Sequence, residues 1–294
     1  MSKGRLSSDE RNFNRSLVNF TGEVQRFIGV SLSGGKADKA CIAVVEYFPK
    51  FKKLFLSNMF ERIKSEDQIS ADLKIHDIIE SYKGKVESVA WDVPWVQPFC
   101  QRCDLPCPGY EVCQVEHIQW MRKRNLAEQK QKKPKKLFTP YTERPVEMYL
   151  KTEIEEPMNV GPALGANLAP LLARASFIER RLDLPSIEVF PKLSIWRIGR
   201  SLNVGKTHLR YHRHSTSGNE SRKIIIQQLS LHKLAFLYEQ DQRLMVENNH
   251  AFEAFICALT GYLKFSGQTE SRPADFPSNE TWIEFPKEKL TWPS

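Results

Sequence analysis

Four cysteines lie close together near the middle of the chain, in a pattern suited to metal binding. Cys100, Cys103, Cys107 and Cys113 fall within fourteen residues, in a segment that also contains proline and glycine. Such a segment can curl around one ion without regular secondary structure, and four thiolates complete the tetrahedral coordination of a structural zinc ion. The spacing therefore predicts a four-cysteine zinc knuckle.

Other interpretations of this segment stay open. An iron–sulfur cluster is also bound by four thiolates, although its usual motifs repeat the two-residue spacing more closely. His117, four residues after Cys113, could replace one ligand or be an ordinary surface histidine. The four thiols could also be buried without a metal. Cys41 and Cys257 lie in the apolar runs CIAVV and FICAL, which predicts buried core thiols.

Three acidic residues stand within or directly after apolar runs. Asp92 follows VESVAW, Glu188 lies inside SIEVF, and Glu253 lies inside HAFEAFICAL, one turn after His250. A carboxylate in such a run costs burial free energy unless it is paired or bound to a metal. Asp92 also ends a predicted strand, where α/β sheets bind their ligands. The pattern favours a Mg²⁺ or Mn²⁺ site, and isolated half-exposed carboxylates are the alternative.

The elements that position these residues form an alternating α/β pattern. Apolar, β-rich runs separated by turns predict an antiparallel meander, and a crossover helix would place the next strand parallel to its neighbour. The predicted strands cover residues 26–31, 39–47, 53–58, 86–92 and 186–190. The predicted helices cover residues 68–82, 144–154, 164–182, 222–237 and 240–265.

The pattern also divides the chain into regions. Residues 1–24 are polar and predict an N-terminal arm, and residues 25–265 predict one α/β domain. The cysteine cluster and a basic stretch, residues 93–140, are predicted to be an insertion into that domain. Residues 266–294 are rich in proline and predict a tail that wraps the surface.

Composition limits the functional classes. Hydrophobic residues make up 41% of the chain and charged residues 27%, which is typical of a globular protein. No apolar run approaches the length that spans a bilayer, and no secretory signal is visible, so we expect a cytoplasmic protein without a membrane partner. A net charge of +8 favours a polyanionic partner such as nucleic acid.

Basic residues concentrate in two places. Residues 122–136 contain eight Lys or Arg, and phosphate backbones attract such runs without reading sequence. A solvated loop is the alternative, and we also expect a solvated loop over the histidine-bearing residues 199–221, although His208, His212 and His214 could bind a metal. The candidate nucleic-acid contacts are Lys130, Lys132, Lys133, Lys135, Lys136 and Arg144.

Five segments, taken in order, resemble a bacterial and archaeal family of predicted nucleases with an RNase H-like fold. The similarity extends over about residues 26–265. The segments are FIGVSLSGG (27–35), VAWDVPW (89–95), RPVE (144–147), IEVFP (187–191) and EAFICALTGY (253–262).

The resemblance implies an RNase H-like mixed sheet and a metal-dependent phosphodiester hydrolase. It implies catalytic roles for Asp92, Glu188 and Glu253, together with Ser31, which stands where the family has its first Asp. That Asp would bridge two divalent ions. A neutral serine is a poor ligand for hard cations, so we expect one ion to bind better than two and hydrolysis to be slow or absent. Asp38 could substitute for this missing Asp.

Two alternative functions remain. Residues 33–38, SGGKAD, resemble the phosphate loop of ATP-pyrophosphatases that modify RNA, with Ala37 as an inserted residue. A helix after Lys39 would favour that enzyme class, and a strand would favour the RNase H-like sheet. The other alternative is a non-catalytic, zinc-containing nucleic-acid-binding protein.

Overall fold

A six-stranded mixed sheet forms the centre of the structure, a computed structural model that describes residues 24–34, 39–129, 139–154 and 158–292. The strand order is β3-β2-β1-β4-β5-β6. The first three strands form an antiparallel meander, and β4, β5 and β6 continue the sheet parallel to β1. The strands are β1 (Gln25–Leu32), β2 (Ala40–Phe48), β3 (Lys53–Ile63), β4 (Val86–Trp91), β5 (Ser186–Val189) and β6 (Ile283–Glu284).

Helices cover both faces of this sheet, which confirms the predicted mixed α/β class. The helices of the described residues are α1 (Ala71–Glu80), α2 (Glu116–Gln129), α3 (Pro145–Glu153), α4 (Ala169–Glu179), α5 (Pro191–Ser201), α6 (Lys206–Tyr211), α7 (Gly218–Leu231), α8 (Glu239–Glu247) and α9 (Asn249–Phe265). No helix in the described part of the chain combines the length and apolar composition needed to cross a bilayer.

The sheet separates two apolar cores. Successive side chains of a strand point to opposite faces, and Phe27 of β1 packs in the core that contains α9, whereas Ile28 packs in the core that contains α1 and α4. Burial on both faces explains why β1 and β2 are almost continuously apolar. The predicted burial of Cys41 and Cys257 is confirmed.

Helix α9 lies directly on β1, β2 and β4. Gly29 of β1 permits this contact, because a Cβ atom there would lie 1.9 Å from the carbonyl oxygen of Ala254. The close approach brings the first turn of α9 to the ends of β1 and β4. Asn248 begins the helix, since its side chain accepts hydrogen bonds from the backbone N–H groups of His250 and Ala251.

Several element predictions need correction. Pro191 does not simply end β5; it occupies the first turn of α5, where its fixed φ and missing N–H are tolerated. Residues 199–221, predicted as a loop, contain α6 and the start of α7. The long helix predicted over 240–265 is divided into α8 and α9 at Asn248.

The C-terminal segment is part of the sheet. Residues 266–294 were expected to wrap the surface, but β6 pairs with β5, and Trp282 and Phe285 are buried in the core. The element after Lys39 is strand β2, so the helix required by a pyrophosphatase-type loop is absent at that position. The predicted N-terminal arm, Asp38 and the lysine run at 130–136 lie outside the described residues, apart from Val24 at the end of the arm.

Candidate active site

The carboxyl ends of β1 and β4 bring Ser31 and Asp92 together. The two strands are parallel neighbours, with Val30 beside Trp91 in the register. The Ser31 hydroxyl donates a hydrogen bond to Oδ2 of Asp92 at 2.5 Å, and the backbone N–H of Leu32 donates to Oδ1 at 3.0 Å. Asp92 is therefore fixed in position through both of its carboxylate oxygens.

The first turn of α9 adds His250 and Glu253 to the same place. Nδ1 of His250 lies 2.9 Å from the Ser31 hydroxyl oxygen. One potential ligand atom from each of Asp92, His250 and Glu253 can be chosen so that all three lie within 4.8 Å of one another. Two carboxylates and an imidazole at this spacing are suited to a single divalent cation.

Hydrogen-bond donors and acceptors define how Ser31 links the two ligands. When Asp92 is ionised, its carboxylate only accepts hydrogen bonds, so the single Ser31 hydroxyl proton points to Asp92. The hydroxyl oxygen then accepts from Nδ1–H of His250. In that arrangement the lone pair of His250 is on Nε2, the nitrogen that remains for a metal or a proton.

Glu253 is completely buried but has three polar partners. Nε of Arg213 donates to its Oε1, Nε2 of His212 lies 3.3 Å from the same oxygen, and Nδ2 of Asn249 donates to Oε2 at 3.0 Å. Burial tends to raise the pKa of Glu253, but the hydrogen bonds and charges of His212 and Arg213 outweigh it and hold the pKa below its usual value. Glu253 is thus kept as a carboxylate.

Asp92 has the opposite electrostatic environment. Burial, followed by the nearby charge of Glu253, raises the pKa of Asp92 to about 7. Burial also lowers the pKa of His250, which favours the neutral imidazole. A buried carboxylate beside a second one is stabilised by any cation that binds between them, so the site has an electrostatic reason to take up a metal ion.

Glu188 is held away from this group by an ion pair. Both of its carboxylate oxygens accept hydrogen bonds from Arg144, at 2.6 and 2.8 Å, and Arg144 also contacts Glu147. Burial would lower the pKa of Arg144, but the two carboxylates raise it above the usual value. Arg144 is fully buried, so its predicted role as a nucleic-acid contact is wrong.

A cavity of about 580 Å³ opens beside Asp92 and His250, two of the three potential ligands. Asp92, His250 and Arg213 line one part of it, and Glu147 and Glu188 line another. The rest of the wall is largely apolar and includes Val93, Pro94, Val160, Leu168, Leu171 and Phe190. The structure therefore brings Ser31, Asp92 and Glu253 together as expected, and places Glu188 at the same cavity in a different pairing.

The four clustered cysteines surround a separate cavity of about 390 Å³. All four are free thiols, and burial together with the other three cysteines raises the pKa of Cys100 to about 11. Among the described residues, the group of potential ligands whose atoms all lie within 4.8 Å of one another is Asp92, His250 and Glu253, and it includes none of the four cysteines. The sulfur atoms are thus more loosely arranged than the ligands of a closed zinc site. The zinc knuckle itself stays a prediction.

His117 packs beside the cysteine cavity without belonging to its lining. Its ring stacks on Phe99 at 4.4 Å, and Nε2 lies 3.7 Å from a carboxylate oxygen of Glu280. The residue is 4% exposed, so the prediction of a surface histidine is wrong.

Sequence reasoning did not identify the partners of Glu253. His212 and Arg213 were assigned to a solvated loop, but His212 is 1% exposed, and both contact Glu253. The available signal was the density of basic residues between positions 201 and 219, where no Asp or Glu occurs.

The chain is similar to an uncharacterised family. A family model described as protein of unknown function (DUF429) matches residues 157–278. This DUF429-like region contains Glu188, His250 and Glu253, whereas Ser31 and Asp92 precede it. Neither the curated proteins nor the solved structures contained a match. The comparisons assign no activity to the DUF429-like region.

Proposed function

We propose that this protein is a divalent-cation-dependent phosphodiester hydrolase that acts on nucleic acid, built on an RNase H-like fold. The observation that carries the proposal is the group formed by Asp92, His250 and Glu253, whose ligand atoms lie within 4.8 Å of one another. Asp92 and His250 also line a large cavity. Metal-assisted hydrolysis of phosphate esters requires this combination of a cation site and an adjoining space for substrate.

The topology supports the proposal. An antiparallel meander followed by parallel strands beside β1 is the arrangement expected of an RNase H-like sheet. The chain leaves β1 toward β2 on one side and returns at β4 on the other, which makes the gap between β1 and β4 a topological switch point. Open α/β sheets bind ligands at such points, and Ser31 and Asp92 lie there.

Different residues of the site have different roles in the proposed reaction. A bound cation would polarise a phosphate oxygen or lower the pKa of a water molecule. Asp92, His250 and Glu253 would hold that cation, and the mixed carboxylate and imidazole set favours Mn²⁺ over Mg²⁺. Arg213 contacts Glu253 and lines the cavity, where its guanidinium would bind the phosphate. With Ser31 in place of a carboxylate, one ion rather than two is expected.

The test is a nuclease assay with a matched control. Labelled single- and double-stranded DNA and RNA are incubated with wild-type protein in Mn²⁺, in Mg²⁺ and in EDTA. We expect slow, Mn²⁺-dependent cleavage that Asp92→Asn reduces at least about 100-fold, because it removes a metal ligand. Asp183→Asn makes the same chemical change on a carboxylate that is 96% exposed and should leave cleavage unchanged. Activity that survives Asp92→Asn contradicts the proposed site.

A second candidate is a zinc-containing protein that binds nucleic acid without cleaving it. The four cysteines around one cavity favour this function. Several neighbouring thiols can act together as ligands of a metal that prefers sulfur. The lysines at 130, 132, 133, 135 and 136, which follow this region in the chain, are the proposed nucleic-acid contacts.

Metal analysis of the purified protein tests the zinc site. We expect about one zinc per chain, lost in Cys103→Ser and retained in Cys41→Ala, which removes a buried thiol far along the chain from this cavity. Cys103→Ser should also expose residues 95–129 to proteolysis, since a structural metal stabilises the segment that binds it. Protein that contains neither zinc nor iron in stoichiometric amounts rules the site out.

A further inference from the structure

An exposed basic surface lies beside the candidate active site. We call it the α6 surface and define it by Lys206, Arg210, Tyr211, Arg213 and His214, all of which are exposed. No Asp or Glu occurs between residues 201 and 219. Tyr211 is 49% exposed, and its ring lies edge-on to that of His214 at 5.7 Å. The surface therefore combines positive charge with an accessible aromatic ring.

The α6 surface is attached rigidly to the site. His212, between two exposed members of the surface, is buried and contacts Glu253. Arg222 donates hydrogen bonds to the backbone carbonyls of His212 and Val246, which fixes the turn after α6. Because these hydrogen bonds already fix the backbone of the turn, binding of a ligand there costs little backbone conformational entropy.

Arg213 connects the α6 surface with the candidate metal ligands. Its side chain is 58% exposed, although Nε contacts the fully buried Glu253. The guanidinium has five N–H donors in a planar fork, so one side of the group can bind Glu253 while the other faces solvent. Arg213 also lines the cavity that Asp92 and His250 share.

We propose that the α6 surface binds a single-stranded nucleic acid and leads it into the Asp92, His250 and Glu253 site. Phosphates of the strand contact Arg210 and Arg213, and a base stacks on Tyr211. The direction of the strand rests on the proposed function, whereas binding to the surface does not require cleavage.

Charge and size favour a single strand. Exposed aromatic rings stack on unpaired bases, which a duplex does not offer. A helix of six residues is about 9 Å long, which is enough for roughly two phosphates but too short to follow the groove of a duplex. The cationic side chains attract the backbone of either DNA or RNA.

Binding is measured by fluorescence polarisation with labelled ten-nucleotide single strands of DNA and RNA and with a duplex, all in EDTA. The test variant combines Arg210→Gln with Tyr211→Ala. We expect at least about a tenfold loss of affinity for single strands, since a stacked base and a phosphate contact are both removed. The slope of log affinity against log salt should decrease by about 0.7, the value for one phosphate contact on a single strand.

The matched control is Arg180→Gln with Phe177→Ala, another exposed pair in which the arginine lies 5.0 Å from the ring centre. This control should bind like the wild type, and Tyr211→Phe, which keeps the ring, should retain binding. Thermal unfolding verifies that each variant is folded. Equal loss in test and control variants, or no loss in the test variant, overturns the inference.

The experiment separates this inference from the proposed function. If the test variant loses binding but wild-type protein cleaves nothing in Mn²⁺, the α6 surface is a binding site and the hydrolase proposal fails. If Mn²⁺-dependent cleavage requires Asp92 but the test variant binds single strands normally, the hydrolase proposal holds and the inference about the α6 surface is overturned.

Discussion

Among single residues, Ser31 has the most direct influence on the candidate metal ligands. Its hydroxyl contacts Asp92 at 2.5 Å and His250 at 2.9 Å, so one side chain orients two ligands. Residues that orient ligands without binding the metal affect affinity strongly. Ser31 therefore acts in the site although serine itself is a weak ligand for hard cations.

Substitution of Ser31 tests this role. Ser31→Ala should weaken Mn²⁺ binding about 10- to 100-fold, because the orienting hydrogen bonds are lost, while Ser31→Asp should bind a second ion and increase cleavage. Both effects are measured by calorimetric titration with Mn²⁺ and by the nuclease assay. Ser81→Ala removes an exposed hydroxyl at the end of α1 and should leave Mn²⁺ affinity unchanged. Identical Mn²⁺ affinity in Ser31→Ala and wild type contradicts the role.

At this scale the sequence predicted the meeting of Ser31, Asp92 and Glu253 but not the separation of Glu188. Apolar runs around acidic residues indicate burial, and burial indicates a partner, yet they do not say which partner. Glu188 binds Arg144, which is 44 positions away in the chain. A buried arginine and a surface arginine look alike in sequence, which is why Arg144 was assigned to nucleic acid.

At the scale of elements, the contact between α9 and β1 determines where the ligands lie. Gly29→Ala should destabilise the protein by at least about 3 kcal/mol, the upper end for overpacking, because the added methyl group meets backbone rather than a movable side chain. Urea unfolding followed by circular dichroism measures the change. Displacement of α9 should also weaken Mn²⁺ binding.

Gly34→Ala is the control for this substitution. Its added methyl group would lie 3.4 Å from the nearest atom, a side-chain carbon of Leu171, which is close to ordinary contact. We expect its unfolding free energy to change by less than about 1 kcal/mol. A Gly29→Ala protein as stable as Gly34→Ala contradicts the proposed packing of α9 on β1.

Hydrophobic periodicity predicted most helices and strands, and it failed where one residue type is compatible with two kinds of structure. Pro191 was taken as the end of β5, but proline is also favoured in the first turn of a helix, and α5 begins there. The break at Asn248 was missed because the apolar pattern continues through α8 and α9. Local patterns identify elements more reliably than their boundaries.

At the scale of the whole molecule, the C-terminal segment completes the fold. Trp282 packs against Tyr149, Phe276 and Phe285, with ring centres 5.2 to 5.8 Å apart. Trp282→Ala should lower the unfolding free energy by about 3–5 kcal/mol, as expected for a buried aromatic residue. Phe51→Ala, at a ring that is 48% exposed, should cost less than about 1 kcal/mol. Similar urea midpoints for the two variants would show that the segment is peripheral.

At this scale the sequence predicted the class of fold correctly but did not predict the last strand of the sheet. Alternating strand and helix patterns specify a mixed sheet. The pairing of β6 with β5 joins residues nearly one hundred positions apart, and two strand residues between prolines carry no recognisable period. Long-range pairing of so short a strand depends on the assembled core rather than on local sequence.

The buried cluster of Arg144, Glu147 and Glu188 also restricts how this sequence can evolve. Removing the arginine alone leaves two buried carboxylates without a counter-charge, and removing one partner of a buried pair costs about 3–5 kcal/mol. Replacing all three by apolar residues of similar volume can be neutral, but each stepwise path passes through a severely weakened intermediate. The three positions should therefore show strong epistasis and change together in divergent lineages.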